Sequence, residues 1–296
     1  MAVLGNLLIS MRPRQWVKNT FVLAPVLFAQ RLSDVGSLAR AAAAAALFCV
    51  ASGAVYLLND VLDREADAAH PHKRSRPIAS GRLPAATATV ASAVLAAASL
   101  AVALVWDVRL GGTLAAYLAF NLAYSLKAKH VPLLDLLLIS AGFLLRVAAG
   151  ALAVDVEISN WILLCTFLLS FYLGLGKRLH EVVAVDRSAA ATRPVLSHYS
   201  VRISNLAFRV AGGATVAAFC AYTLSDRAVT HFGSARLVYT VPFVLLGIFR
   251  YAWLVRDARR TSAPTDALLA DPLTVLIVAA WGASAAAVIY WSRWFA

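Results

Sequence analysis

The chain has 296 residues, 61% of them hydrophobic, and a mean hydropathy of +0.75, which excludes an ordinary water-soluble globular domain. Its 27 Lys and Arg against 15 Asp and Glu give a net charge of +12. The bases gather in alternate loops between apolar runs, so the charge reflects membrane topology and argues against a nucleic-acid partner.

Apolar stretches of membrane-spanning length recur at roughly 17–30, 38–58, 85–106, 110–126, 132–152, 158–176, 206–224, 237–253 and 272–292. They predict an all-α polytopic membrane protein of nine transmembrane helices, the first short, in a single integral membrane domain over 1–296. Basic residues before the first stretch resemble a signal peptide, but no small-residue cleavage site follows, so the stretch is read as the first helix. Ala41–Ala46 predicts close helix packing, because small side chains let backbones approach in lipid. Cys49, Cys165 and Cys220 fall inside spans at no ligand spacing and read as small buried hydrophobes, with no disulfide or zinc framework. No internal repeat stands out. Arg12, Arg14 and Lys18, then Lys73, Arg74, Arg76 and Arg82, then Lys127 and Lys129 lie on one side. Lys177, Arg178, Arg187, Arg193 and Arg202, and finally Arg256, Arg259 and Arg260, continue it. The positive-inside rule makes that side cytoplasmic, with the N-terminus inside, the C-terminus outside, and the chain in the cytoplasmic membrane.

The second apolar run ends in Asn59-Asp60-Val-Leu-Asp63-Arg-Glu-Ala-Asp67. On a continuous helix Asn59, Asp63 and Asp67 line one face at i, i+4 and i+8, with Asp60 beside them. Charges this close to the membrane core are costly and tend to mark function. Their oxygens suit a hard cation, Mg²⁺ or alternatively Mn²⁺, which binds through a few carboxylates plus substrate phosphates. Asn59, Asp60, Asp63 and Asp67 are therefore the candidate metal ligands or the residues holding its waters, while Glu65 points away from that face. The loop His70-Pro-His-Lys73-Arg74-Ser-Arg76-Pro77 follows at once, and its bases read either as topogenic charges or as a phosphate clamp led by Lys73 and Arg76. Acids for a metal beside bases for phosphates suggest pyrophosphate chemistry, with Asp60, Asp63 and Lys73 as candidate catalytic residues.

A second polar locus holds Asn121, Tyr124, Ser125 and Lys127, followed by Asp135 and Arg146. Asp135 and Arg146 are about 16 Å apart along a helix, so each needs another partner. Arg146 lies deep in a span and reads as a substrate contact or as half of a buried ion pair. A third locus ends the sixth run with Lys177, Arg178, His180 and Glu181. Lys177 and Glu181 are i, i+4 neighbours, read either as a helix-surface ion pair or as part of a mixed basic and acidic wall of the site. His180 reads as an interfacial histidine. The candidate substrate-binding set is Lys18, Lys73, Arg74, Arg76, Tyr124, Lys127, Arg146, Lys177, Arg178 and Glu181.

An Asn-Asp-x-x-Asp-x-x-x-Asp motif closing a second membrane helix resembles the UbiA superfamily of intramembrane prenyltransferases. The resemblance extends over nearly the whole chain, and it implies nine helices around a central cavity, roofed by the helix 2–3 and 6–7 loops. Family members typically carry a second Asp-x-x-x-Asp motif after helix six, for a second Mg²⁺ on a prenyl pyrophosphate. Here that region reads Gly-Lys177-Arg178-Leu-His-Glu181, with one acid and two bases. Together with Arg12-Pro-Arg14-Gln15-Trp16-Val-Lys18-Asn19 and Leu-Arg146-Val-Ala-Ala-Gly150, this is similar to a phosphoribosyl-transferring branch of the family. That branch implies phosphoribosyl pyrophosphate as donor and a polyprenyl (decaprenyl) phosphate as acceptor, for a cell-wall arabinan (arabinogalactan) precursor. Lys177 and Arg178 then hold either the ribose 5-phosphate or the acceptor phosphate. Two alternatives stand beside this: an aromatic prenyltransferase using a polyprenyl pyrophosphate, and a transporter or lipid flippase. The transporter predicts a repeat and mid-bilayer broken helices, whereas these charges gather at one face.

Overall fold

The computed structural model describes residues 2–71, 73–128, 131, 133–187, 201–257 and 270–294. His72, Lys129, Arg193, Arg259 and Arg260 lie outside the described residues. Twelve α-helices order the rest: α1 Ala2–Ser10, α2 Ala24–Phe28, α3 Val35–Leu62, α4 Arg64–Ala69, α5 Ala85–Trp106 and α6 Val108–Leu126. The remainder are α7 Leu134–Ala153, α8 Asn160–Arg187, α9 Val201–Leu224, α10 Asp226–Phe232, α11 Val241–Arg256 and α12 Pro272–Trp294. Among the described residues there is no strand, so the fold is all-helical as expected.

Seven of these described segments are long and apolar enough to cross a membrane: α3, α5, α7, Asn160–Glu181 of α8, α9, Ala235–Arg256 and Pro272–Trp291. Among the described residues seven of the nine expected crossings meet that measure. The expected first span falls on a 3₁₀ segment, Pro13–Leu23, followed by the five-residue α2. Pro13 and Pro25 each lack a backbone donor and bracket this stretch, which favours short tight turns over one long helix. The expected fourth span is α6, whose 19 residues include Arg109, two glycines and Asn121 and are less apolar than those seven.

Helix starts follow local chemistry. Asp34 caps α3 by accepting from the Gly36 amide at 3.0 Å and the Ser37 hydroxyl at 2.6 Å, and these bonds hold its carboxyl below the usual range. Asp107 caps α6 through the amides of Arg109 and Leu110, with its pKa likewise lowered, first by the Arg109 side chain.

The chain forms two compact units. The first holds Met1–Lys129 and Ala141–Ile158. In it α3 packs on α5, α6 and the Pro13–Leu23 segment, around Val22, Phe48, Ala51, Leu110, Leu114, Tyr117 and Ala149. Of Ala41–Ala46 only Ala41 and Ala44 are fully buried, so close packing uses one stripe of that run. Gly150 permits the tightest approach: a Cβ there would lie 1.9 Å from the Val22 carbonyl oxygen. The second unit holds His130–Ser140 and Ser159–Ala296. Its core is aromatic, with Tyr172 stacked on Phe208 at 4.5 Å and edge-on to Tyr251 at 5.4 Å. Both phenols reach backbone carbonyls, Tyr172 that of Ile248 and Tyr251 that of Leu173, which ties α8 to α11. The three cysteines are free and half-buried, more exposed than expected of small core hydrophobes.

Candidate active site

The acidic motif straddles a break. α3 ends at Leu62, and Asp63 caps it at φ −93°, ψ 7°, off ideal helical geometry, before α4 resumes at Arg64. The expected continuous face through Asn59, Asp63 and Asp67 is therefore bent. The two acids it buries are Asp60 and Asp67, each 3% exposed, while Asn59 and Asp63 are half-buried and Glu65 is exposed, as expected.

Three cations meet those two carboxylates. Arg76 Nη1 donates to Asp60 Oδ1 at 3.2 Å and to Asp67 Oδ2 at 2.5 Å, so the two oxygens lie within about 6 Å of each other. Arg12 Nη2 donates to the same Asp60 oxygen at 2.5 Å, and Lys73 Nζ sits 3.8 Å from Asp67 Oδ1. The loop after α4 is held in place by Ile78 and Leu83, buried with Leu57, Ala88 and Met11, and this anchors the backbone that carries Arg76. Arg74 on the same loop is exposed. Arg12 is fixed differently. Its backbone adopts the left-handed region at φ 53°, uncommon for a residue with a side chain, and its guanidinium lies 5.0 Å above the Tyr56 ring.

Sequence reasoning missed Arg12 as a partner of the motif. It is 48 residues from Asp60, and its only signal was membership of the Arg12–Asn19 string.

Arg146 is buried, and among the described residues its side chain bonds to neutral groups. Its Nε donates to Asn19 Oδ1 at 2.7 Å, Nη1 to the Gly142 carbonyl at 2.9 Å and Nη2 to the Tyr117 hydroxyl at 3.0 Å. The guanidinium also lies 4.7 Å from the Tyr117 ring centre. All these partners are neutral, which corrects the ion-pair alternative. Asn19 in turn donates to Cys49 and Ser52 of α3, so the network clamps the Pro13–Leu23 segment between α3 and α7. Lys18 beside it is half-buried, as is Tyr124, whereas Lys127 is exposed.

In the second unit Arg178 is 1% exposed, and its Nε donates to Asp135 Oδ2 at 2.6 Å while Nη1 donates to Glu181. Arg178, expected at a phosphate, is thus buried against two carboxylates of the protein. Glu181 forms an i, i+3 pair with Arg178. Asp135 finds the separate partner its spacing required. Lys177 is half-buried on α8, and His180 Nδ1 lies 3.2 Å from the Val255 carbonyl, in keeping with a structural histidine.

Among the described residues no three His, Cys, Asp or Glu side chains converge as a ready metal cage. The donor set of Asn59, Asp60, Asp63 and Asp67 nevertheless fits Mg²⁺. It is all oxygen, clustered at one helix break, and Mg²⁺ completes its sphere with waters and substrate phosphates.

Comparisons with known proteins bear on the family and the fold. The model of the UbiA prenyltransferase family matches residues 20–270. A decaprenyl-phosphate phosphoribosyltransferase of Mycolicibacterium smegmatis is 34% identical, over 98% of this chain and 94% of that protein. One from Corynebacterium glutamicum is 35% identical, over 92% of this chain and 83% of that protein. The solved structure of a UbiA homolog from Archaeoglobus fulgidus bound to GPP and Mg²⁺ superposes with a TM-score of 0.74 at 18% identity, covering 96% of this chain and 99% of its own.

Proposed function

The chain belongs to the UbiA prenyltransferase family, and within it we propose that this enzyme moves a 5-phosphoribosyl group from phosphoribosyl pyrophosphate to a polyprenyl phosphate, releasing pyrophosphate. Support comes first from relatives of that activity, aligned over nearly the whole chain. The observation that carries the choice of reaction is the state of the acids after the sixth predicted span. Glu181, which follows that span, is engaged by Arg178, and the same guanidinium is buried against Asp135 of the fifth span, so the described acid there is already paired with a base of the protein. A site with one carboxylate motif and an excess of bases suits a donor with a leaving pyrophosphate and a second phosphate that stays on the product.

Mg²⁺ held among Asn59, Asp60, Asp63 and Asp67 would draw charge from the leaving pyrophosphate. The chain's own residues do the rest. Lys73, Arg74 and Arg76 grip the pyrophosphate, Arg by its planar fork and Lys as a mobile charge. Departure of the leaving group builds oxocarbenium character at ribose C1, and the acceptor phosphate oxygen bonds there. A phosphate monoester is already anionic at neutral pH, so no side chain has to serve as a strong base. A cytoplasmic site is supported by the positive-inside pattern of the basic loops and suits a soluble phosphorylated sugar.

The test is direct. Purified protein is incubated with Mg²⁺, polyprenyl phosphate and phosphoribosyl pyrophosphate, or with polyprenyl pyrophosphate and an aromatic acceptor, and the lipid products are weighed by mass spectrometry. The phosphoribosyl lipid is expected only in the first mixture. A prenylated aromatic from the second, with nothing from the first, overturns the reading.

A further inference from the structure

Arg76 stands in the place that a metal-binding role for Asp60 and Asp67 would give to a cation. One of its nitrogens is bonded to both carboxylates, at 3.2 and 2.5 Å. Arg12 shares the Asp60 oxygen and Lys73 approaches the other oxygen of Asp67. Three positive side chains thus face two buried negative ones. A divalent ion approaching alone meets repulsion from all three and must displace a charge-assisted bond at each carboxylate. A pyrophosphate changes the balance, since it offers the guanidinium a bidentate anionic partner of its own.

The two arginines are not equivalent. Arg12 touches only Asp60, stacks on Tyr56 and has a constrained backbone. Arg76 bridges both acids from a loop whose backbone is anchored by Ile78 and Leu83. Its guanidinium can turn outward without moving the loop, whereas Arg12 is built to stay.

We propose that Arg76 competes with the divalent cation for Asp60 and Asp67, so that the site takes up metal together with the donor's pyrophosphate and not before it. The inference rests on reading Asn59–Asp67 as the metal motif. On this view the departing pyrophosphate leaves with its metal as Arg76 returns to the carboxylates, which couples product release to resetting the site.

The test measures binding and needs no turnover. Full-length protein in lipid nanodiscs is titrated with Mn²⁺, and the bound ion is read by electron paramagnetic resonance with and without inorganic pyrophosphate. Wild type is expected to bind Mn²⁺ at least about tenfold more tightly when pyrophosphate is present, the scale that loss of one like-charge neighbour supports. Arg76→Gln is expected to bind Mn²⁺ alone about tenfold more tightly than wild type and to gain little from pyrophosphate. Arg12→Gln should show a smaller gain. Should Arg76→Gln fail to fold by size exclusion, Arg76→Lys substitutes, since a single ammonium lacks the fork and gives an intermediate gain. Equal or weaker Mn²⁺ binding in the folded Arg76 variant overturns the competition while leaving the metal motif standing. Absence of protein-bound Mn²⁺ from every variant, with or without pyrophosphate, removes the metal motif itself.

Discussion

Asp60 and Asp63 sit three residues apart, yet their removal should fail in different ways. Asp60 is buried and neutralises two arginines, so Asp60→Ala leaves Arg12 and Arg76 without that carboxylate. Removing one member of a fully buried pair costs about 3–5 kcal/mol. With the arginines 30% exposed, solvent screening reduces this to about 2 kcal/mol. Asp63 is half-buried at the helix break. Asp63→Ala is therefore expected to keep its thermal midpoint while kcat falls by about 10²–10³, the scale of losing one well-placed electrostatic group. Thermal unfolding and steady-state kinetics of the two variants separate the roles; an active Asp63→Ala protein sinks its assignment to the metal. The acidic motif was legible in the sequence because eight residues held four acids. Its pairing was not, since the arginine that shares Asp60 comes from 48 residues upstream and no periodicity links them.

Among the elements, the Pro13–Leu23 segment departs furthest from expectation. An apolar run with basic residues reads as a short membrane helix, but hydropathy cannot register that Asn19 is needed inside as an acceptor for Arg146. The segment is held by that bond and by the bare backbone of Gly150 against the Val22 carbonyl. Gly150→Ala would place a methyl 1.9 Å from that oxygen, and neither backbone can yield cheaply. We expect a loss of about 3 kcal/mol, the upper range of overpacking. Gly112→Ala, where a Cβ meets nothing within 4 Å, is the control and should unfold like wild type. Equal midpoints for the two variants would show that the segment is not clamped as described. The break at Asp63 was similarly invisible, because Asn59, Asp63 and Asp67 have perfect helical spacing and only the cap geometry shows the bend.

For the molecule as a whole, composition alone was enough to read an all-helical polytopic chain, because lipid requires every backbone group to be satisfied within its own segment. The number of crossings was less legible, since α6 carries enough polar residues to fall below the other helices. Orientation can be tested on a cysteine-free background. Arg74→Cys is expected to react with a membrane-impermeant maleimide only in inside-out vesicles, and Arg236→Cys, at the other end of the Ala235–Arg256 span from the basic Arg256, only in right-side-out cells. The reverse pattern would turn the proposed site away from the cytoplasm.

The ion pair between Asp135 and Arg178 also has a consequence for biogenesis. Asp135 opens α7 and is fully buried in the finished protein, but its partner is made 43 residues later. At about 5–20 residues per second, the carboxylate waits roughly two to nine seconds for its guanidinium. During that interval the leading end of α7 has to remain near water or within the insertion machinery, because an unpaired charge enters lipid at high cost. α7 and α8 are thus expected to settle into the bilayer as one kinetic event, and a stall in translation between them becomes a point at which this chain is exposed to quality control.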